Sequence, residues 1–211
     1  MPATAVPGQL PFSSGVIRVS NEQSKFAMIV RVASLAPFVA LVAVLLMYFC
    51  AADVVTDPWQ IAMVAACLTI MPVLAYPVQM IVPKLRAKGR DGQRTLAIIF
   101  SCVGYVVLTV LAFTVGFSTK LQVFALTYLF SGVVLLLCRL FGFRPSGHCC
   151  GVAGPIAYLA VFVNPYFAFA ALLLVPVVWS CVALKRHTAL QCVVGCLVPA
   201  ISMLVAALII M

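Results

Sequence analysis

From about residue 32 onward the chain alternates long apolar runs with short polar breaks. The runs cover about 32–52, 58–82, 95–115, 121–140, 149–163, 166–184 and 191–211. Each reaches or approaches the roughly 20 residues that a helix needs to cross a bilayer, and the 149–163 run is the shortest. The runs are continuous rather than alternating, which favours helices over the strands of a barrel. Asp57-Pro58 marks a helix start, a capping carboxylate followed by Pro at the first helical position. Pro72 and Pro77 are expected to kink the second run, and Asn164-Pro165 to form a tight turn between the fifth and sixth. The pattern predicts an all-α polytopic transmembrane bundle of about seven spans. Residues 1–25 read as a flexible polar N-terminal tail, and 26–211 as a single transmembrane domain. The polar stretch ahead of the first run is too long for a secretory signal peptide.

Composition agrees with this pattern. Of 211 residues 65% are hydrophobic and 8% charged, against about 25% charged in a soluble domain. The carboxylates are Glu22, Asp53, Asp57 and Asp91. The net charge of +9 does not indicate nucleic acid, because the basic residues gather at the ends of apolar runs. With seven spans, the tail and the loops at 83–94, 141–148 and 185–190 fall on one side. The Asp53/Asp57 turn, the Lys120 turn, the Asn164 turn and the C-terminus fall on the other. The first side collects most of the Lys and Arg and is assigned to the cytoplasm. The nine cysteines do not suggest a disulfide framework. Most lie in apolar runs, where cysteine behaves as a small hydrophobe. The adjacent Cys149-Cys150 is a poor chelator, so no metal and no cofactor is expected.

Two polar stretches at the basic face carry chemistry. Arg144-Pro145-Ser146-Gly147-His148 places a guanidinium, a hydroxyl, a glycine and an imidazole together. Those groups suit a tetrahedral anion: Gly147 lets backbone N–H groups approach, Ser146 caps the following helix, and Arg144 offers a fork for phosphate oxygens. The second stretch runs Ser180-Cys181 to Lys185-Arg186-His187-Thr188 and on to Gln191. On a helix, His187 and Gln191 would share a face, and the amide would orient the imidazole. One histidine can attack phosphorus while the other protonates the leaving oxygen, with cations stabilising the charge on the equatorial oxygens. The chain has only these two histidines.

These blocks resemble the type 2 phosphatidic acid phosphatase superfamily. Its signature is Lys-x6-Arg-Pro, then Pro-Ser-Gly-His, then Ser-Arg-x5-His-x3-Asp. Pro145-Ser146-Gly147-His148 matches the second block, and Ser180, His187 and Gln191 keep the spacing of the third. The resemblance covers residues 144–211 and implies a phosphatase-like core in the C-terminal half. It implies that His187 is the nucleophile that forms a phosphohistidine and His148 the general acid, with Ser146 and the Gly147 backbone holding phosphate. The chain departs from the signature in three places. Cys181 stands where the family has Arg, so Lys185 or Arg186 is the candidate substitute. Gln191 stands where the family has Asp, as in a His-Thr-x-x-Gln branch. The Lys-x6-Arg-Pro block is missing, and Lys88 and Arg94 of the basic loop are its candidate replacements.

The expected function is therefore that of an integral lipid-phosphate phosphatase of a bacterial cell membrane. Its substrate would be a phosphate or diphosphate monoester of a lipid, such as a prenyl diphosphate or phosphatidate. The main rival is a catalytically inactive lipid-phosphate binder or a transporter, motivated by Cys181. A proton-coupled transporter usually needs a carboxylate within a span, and the apolar runs offer none.

Overall fold

Local chemistry at the helix ends sets the architecture. The computed structural model describes residues 20–87 and 89–211, with backbone alone at Arg90, Asp91 and Arg94. Among the described residues there are helices and no strand. Helix α1 (Asn21–Ala33) opens on a capping box: Gln23 N–H donates to Ser20 Oγ, and Ser20 N–H donates to the Gln23 side chain. Residues 20–25, expected in a flexible tail, are thus the cap and first turn of a helix, while 1–19 lie outside the described residues. Helix α2 (Ala36–Cys50) meets α1 at 47°. Had α1 run on, the ring of Pro37 would have struck the Ala33 carbonyl, so a new helix begins near the start of the 32–52 run and covers most of it.

Helix α3 (Pro58–Ala65), a π turn (Ala66–Ile70) and α4 (Met71–Ile81) form one apolar rod. Pro72 has no N–H to give, and the helix widens ahead of it so that Met71 N–H reaches the Ala66 carbonyl. Gly104 packs against the next carbonyl, that of Cys67, where a Cβ would not fit. After α5 (Pro83–Arg86) come α6 (Gly89–Thr114), α7 (Thr119–Leu140) and α8 (Gly147–Phe162). A 3-10 stretch (Pro165–Leu173) then leads into α9 (Leu174–Ala183), and α10 (Ala189–Ile210) closes the chain. Asn164 makes the expected turn, accepting from Tyr166 N–H at 3.0 Å.

Among the described residues, five segments are long and apolar enough to cross a membrane: Pro58–Ile81, Thr95–Thr114, Thr119–Leu140, Pro165–Ala183 and Ala189–Ile210. The chain is a multi-pass helical membrane protein. Of the seven runs, these five pass on length and apolarity, the bent α1–α2 pair makes a sixth if it counts as one span, and the 16-residue α8 is shorter. Large apolar side chains such as Phe49, Met80, Leu140 and Leu208 point outward, as a lipid-facing surface requires.

Two apolar clusters fill the interior. The larger joins α2, α3, α6, α7, α8 and α10, with Phe124 edge-on to both Tyr158 and Tyr128 at centroid distances of 4.8 and 5.0 Å. The smaller lies between α8, α9 and α10 and contains Cys149, Val152, Ile156, Val177, Cys181 and Cys192. Glycines let helix backbones close up on α8: Gly151 faces Ala36, and Gly154 faces Pro199. At one end of the bundle Lys120 pairs with Asp53 at 2.5 Å, Ser118 donates to the Val54 carbonyl, and Tyr158 donates to the Lys120 carbonyl. Ile210 and Met211 border the same corner. The Asp53 turn, the Lys120 turn and the C-terminus therefore share one end, as the charge pattern implied, and the histidines occupy the other.

This arrangement predicts that an epitope tag after Met211 and one inserted between Lys185 and Arg186 react with antibody from opposite sides of sealed vesicles. Labelling of both tags from one side would contradict it.

Candidate functional site

The first half of the site is a helix start. Ser146 caps α8, its Oγ accepting from Cys149 N–H at 3.3 Å. Its own N–H donates to the Gln191 carbonyl at 2.8 Å, which ties the start of α8 to the start of α10. Ser146 is fully buried. Capping uses the hydroxyl oxygen as acceptor and leaves its proton, the group expected to donate to phosphate, uncommitted by that bond. Gly195 makes the contact possible: a Cβ there would stand 2.5 Å from the Ser146 carbonyl oxygen and 3.1 Å from its nitrogen. Gly147 is exposed, and a Cβ on it would meet only Leu135 Cδ1, at 3.9 Å, so a ligand can approach the backbone closely. Arg144 is exposed beside it.

His148, half-buried in the first turn of α8, points back to the α1–α2 break. Ser34 Oγ donates to the Val30 carbonyl at 2.6 Å and lies 3.0 Å from His148 Nε2. The hydroxyl proton is already committed, so His148 donates from Nε2–H and keeps its lone pair on Nδ1. Burial, then the Arg31 guanidinium, then His187 push the His148 pKa down to about 4. In the ligand-free protein this imidazole is neutral at pH 7.

The second half is a turn. Helix α9 ends with Arg186 N–H donating to the Cys181 carbonyl at 3.0 Å and Lys185 N–H to the Val182 carbonyl at 2.9 Å. This is a Schellman closure. Its left-handed position, usually Gly, is Lys185 with φ 51°. The turn delivers His187 to the residue before Thr188, the N-cap of α10. Thr188 and Gln191 form a capping box: Gln191 N–H donates to Thr188 Oγ1, and Thr188 N–H donates to Gln191 Oε1. His187 Nδ1 lies 3.2 Å from that same Oε1. An oxygen that accepts from Thr188 N–H can only accept from the ring as well, so His187 is the Nδ1–H tautomer with its lone pair on Nε2. The expected His187–Gln191 hydrogen bond is thus present. It arises from a capping box and not from two residues on one helix face.

No family model, no curated protein and no solved structure matches the chain.

Of the expected cations, Lys185 and Arg186 are exposed on the turn. Lys88 lies outside the described residues, as does the Arg94 side chain. The helix bearing Arg94, α6, packs chiefly on α4, the π turn and α7 rather than on the helices that carry the histidines. Arg31 was missed, because a cation at the start of an apolar run reads as a topology signal. Its Nη1 is buried without a hydrogen-bond partner, and its charge reaches both His148 and Cys181. Ser34 and Gly195 left no mark in any motif. The Thr188–Gln191 spacing was a readable capping signal. Cys181 is fully buried, and its Sγ lies within 4.8 Å of those of Cys149 and Cys192. The structure thus gathers thiols where no chelating spacing is visible.

Two substitutions separate packing from charge. Gly195→Ala should lower stability by about 1–3 kcal/mol, because the new methyl meets backbone that cannot rotate away. Lys185→Gly should raise stability by about 1 kcal/mol by relieving the left-handed residue. Thermal unfolding in detergent measures both, and the opposite sign at either position would contradict the geometry.

Proposed function

We propose that this chain is an integral membrane phosphatase of the type 2 phosphatidic acid phosphatase kind, acting on a phosphate or diphosphate monoester of a lipid. The observation that carries the reading is that both rings are held by a polar partner, His187 Nδ1 3.2 Å from Gln191 Oε1 and His148 Nε2 3.0 Å from Ser34 Oγ, which leaves His187 Nε2 and His148 Nδ1 to face a ligand. His187 Nε2 attacks phosphorus, the P–O bond to the lipid breaks, and the lipid oxygen leaves with a proton from His148. Water then attacks the phosphohistidine, His148 accepts its proton, the P–N bond breaks, and phosphate departs. Arg31 supplies the charge that the family draws from the position of Cys181. The N-termini of α8 and α10 add their N–H groups and dipoles.

The depressed His148 pKa is consistent with this cycle. A phosphate monoester has a second pKa near 6, so its monoanion can bring the proton to a neutral His148. The resulting imidazolium beside a phosphate dianion is better stabilised than an imidazolium alone beside Arg31.

His187→Ala should abolish phosphate release from lipid phosphates by the purified protein. His148→Ala should lose about 10²–10⁴-fold on a lipid alkoxide leaving group, and much less on a nitrophenyl ester, which departs unprotonated. Release that survives His187→Ala would end the mechanism. If lipid phosphate binds yet neither histidine matters, the inactive binder becomes the better reading, and the buried Ser146 together with Cys181 is what favours it.

Arg31→Met should lower kcat/KM by about 10²–10³-fold, the range for removing one charge-stabilising donor. It should also raise the His148 pKa from about 4 towards the ordinary imidazole value, since it removes a neighbouring positive charge. With only two histidines in the chain, ring-nitrogen NMR resolves this titration directly. An unmoved His148 would place Arg31 outside the site.

A further inference from the structure

Three buried thiols converge beneath the histidines. Cys149 stands in the first turn of α8, Cys181 near the end of α9 and Cys192 in the first turn of α10. Their Sγ atoms all lie within 4.8 Å of one another. Cys196, one turn further along α10, packs against the same cluster. In a tetrahedral zinc–thiolate site, Zn–S bonds of about 2.3 Å set sulfur separations of about 3.8 Å. The observed cluster is within about 1 Å of that arrangement, a shift that side-chain torsions supply.

Buried cysteines are usually small hydrophobes. That account explains each one singly but not why three helices aim a thiol at one point. Helix ends and one cation lie close enough to offset the negative charge that appears once an ion displaces the thiol protons. Cys149 and Cys192 sit at helix N-termini, where backbone N–H groups and the dipole stabilise negative charge. The buried, unpartnered Nη1 of Arg31 belongs to a guanidinium whose charge reaches Cys181. Zn2+ with four thiolates carries two net negative charges, of which that guanidinium offsets one in a low-dielectric interior. The five donors of a guanidinium are enough to serve a thiolate and a phosphate oxygen together.

We propose that Cys149, Cys181 and Cys192, with Cys196 as fourth donor, form a structural site for a thiophilic d10 cation, Zn2+ or Cu+. Soft thiolates select these ions, and a closed set of sulfur ligands is the pattern of a structural site. The cation ties together the three segments that carry the catalytic pair. Cys149 adjoins His148, Cys192 adjoins Gln191, and the Cys181 carbonyl accepts the hydrogen bond that closes the turn before His187. Binding releases the thiol protons to solvent and needs no oxidant.

The test is metal content, which does not depend on phosphatase activity. The full chain is purified anaerobically in detergent, exposed to Zn2+ or Cu+ and desalted, and its metal is measured by mass spectrometry. One ion per chain is expected, falling to near zero in Cys181→Ser and unchanged in Cys50→Ser and Cys102→Ser. Co2+ added to the metal-stripped protein should give an intense thiolate-to-cobalt charge-transfer band. A wild-type chain that binds neither metal stoichiometrically and shows no such band overturns the proposal whether or not the variants fold. So does a disulfide among these four cysteines in the protein as isolated.

Discussion

The hydrogen bond from Ser146 N–H to the Gln191 carbonyl joins the two halves of the candidate site, and much else follows from it. It forms because α10 has no side chain at Gly195, so its backbone lies directly on the Ser146 peptide. That contact draws two capped helix starts together, Ser146 for α8 and Thr188 for α10. Each histidine adjoins one of the caps. His148 follows Ser146 in the first turn of α8, and His187 precedes Thr188. The same approach folds Cys149 and Cys192 towards each other underneath. Two positive helix ends, two imidazoles and a thiol cluster are thus brought together by one close backbone crossing.

Within this frame charge is supplied from a distance. The exposed cations Lys185 and Arg186 belong to the turn, and the left-handed backbone at Lys185 is a geometric requirement of the Schellman closure rather than a sign of a ligand. The half-buried cation Arg31 comes from α1, which packs against α9 through Phe26 and Trp179 and ends at the Ser34 break. Ser34 and Arg31 approach His148 from the same short segment, one through a hydrogen bond and the other through its field. The N-terminal helix is therefore part of the site and not an appendage to the bundle.

The helical class was legible because continuous apolar runs admit little else, and most run boundaries match helix ends within a few residues. The 47° bend just ahead of α2 was not legible, because hydropathy is blind to the clash that Pro37 creates with the preceding turn. The two histidines and Gln191 were legible as motif residues. Their mutual fixing was legible only in part, since the Thr188–Gln191 box is a local signal and the Ser34–His148 bond joins residues far apart in sequence. Arg31 was hidden by ambiguity: a cation before an apolar run signals topology in most chains. The cysteine cluster was illegible in principle, because three ligands on three helices have no spacing to read. Ser146 was legible as a cap, and its oxygen accepts from Cys149 N–H as expected.

The 16 residues of α8 have a further consequence. At 1.5 Å per residue the helix is about 24 Å long, set against a hydrocarbon layer of about 30 Å. The 19 residues of Pro165–Ala183 escape this deficit, because the 3-10 stretch rises by about 2.0 Å per residue. The bundle therefore holds a short rod beside a long one. Its Lys120 end is anchored by Tyr158, so the shortfall accumulates where Gly147 and His148 begin. Set across a bilayer of that thickness with the Lys120 end at one surface, the histidine end of α8 would fall about 6 Å short of the other, and the bilayer would have to thin or dimple there. Under the proposed function, a phosphate carried on a lipid would reach that depth by sliding sideways with its chain still in the membrane. A water-soluble ester would have to leave its hydration behind to arrive at the same place.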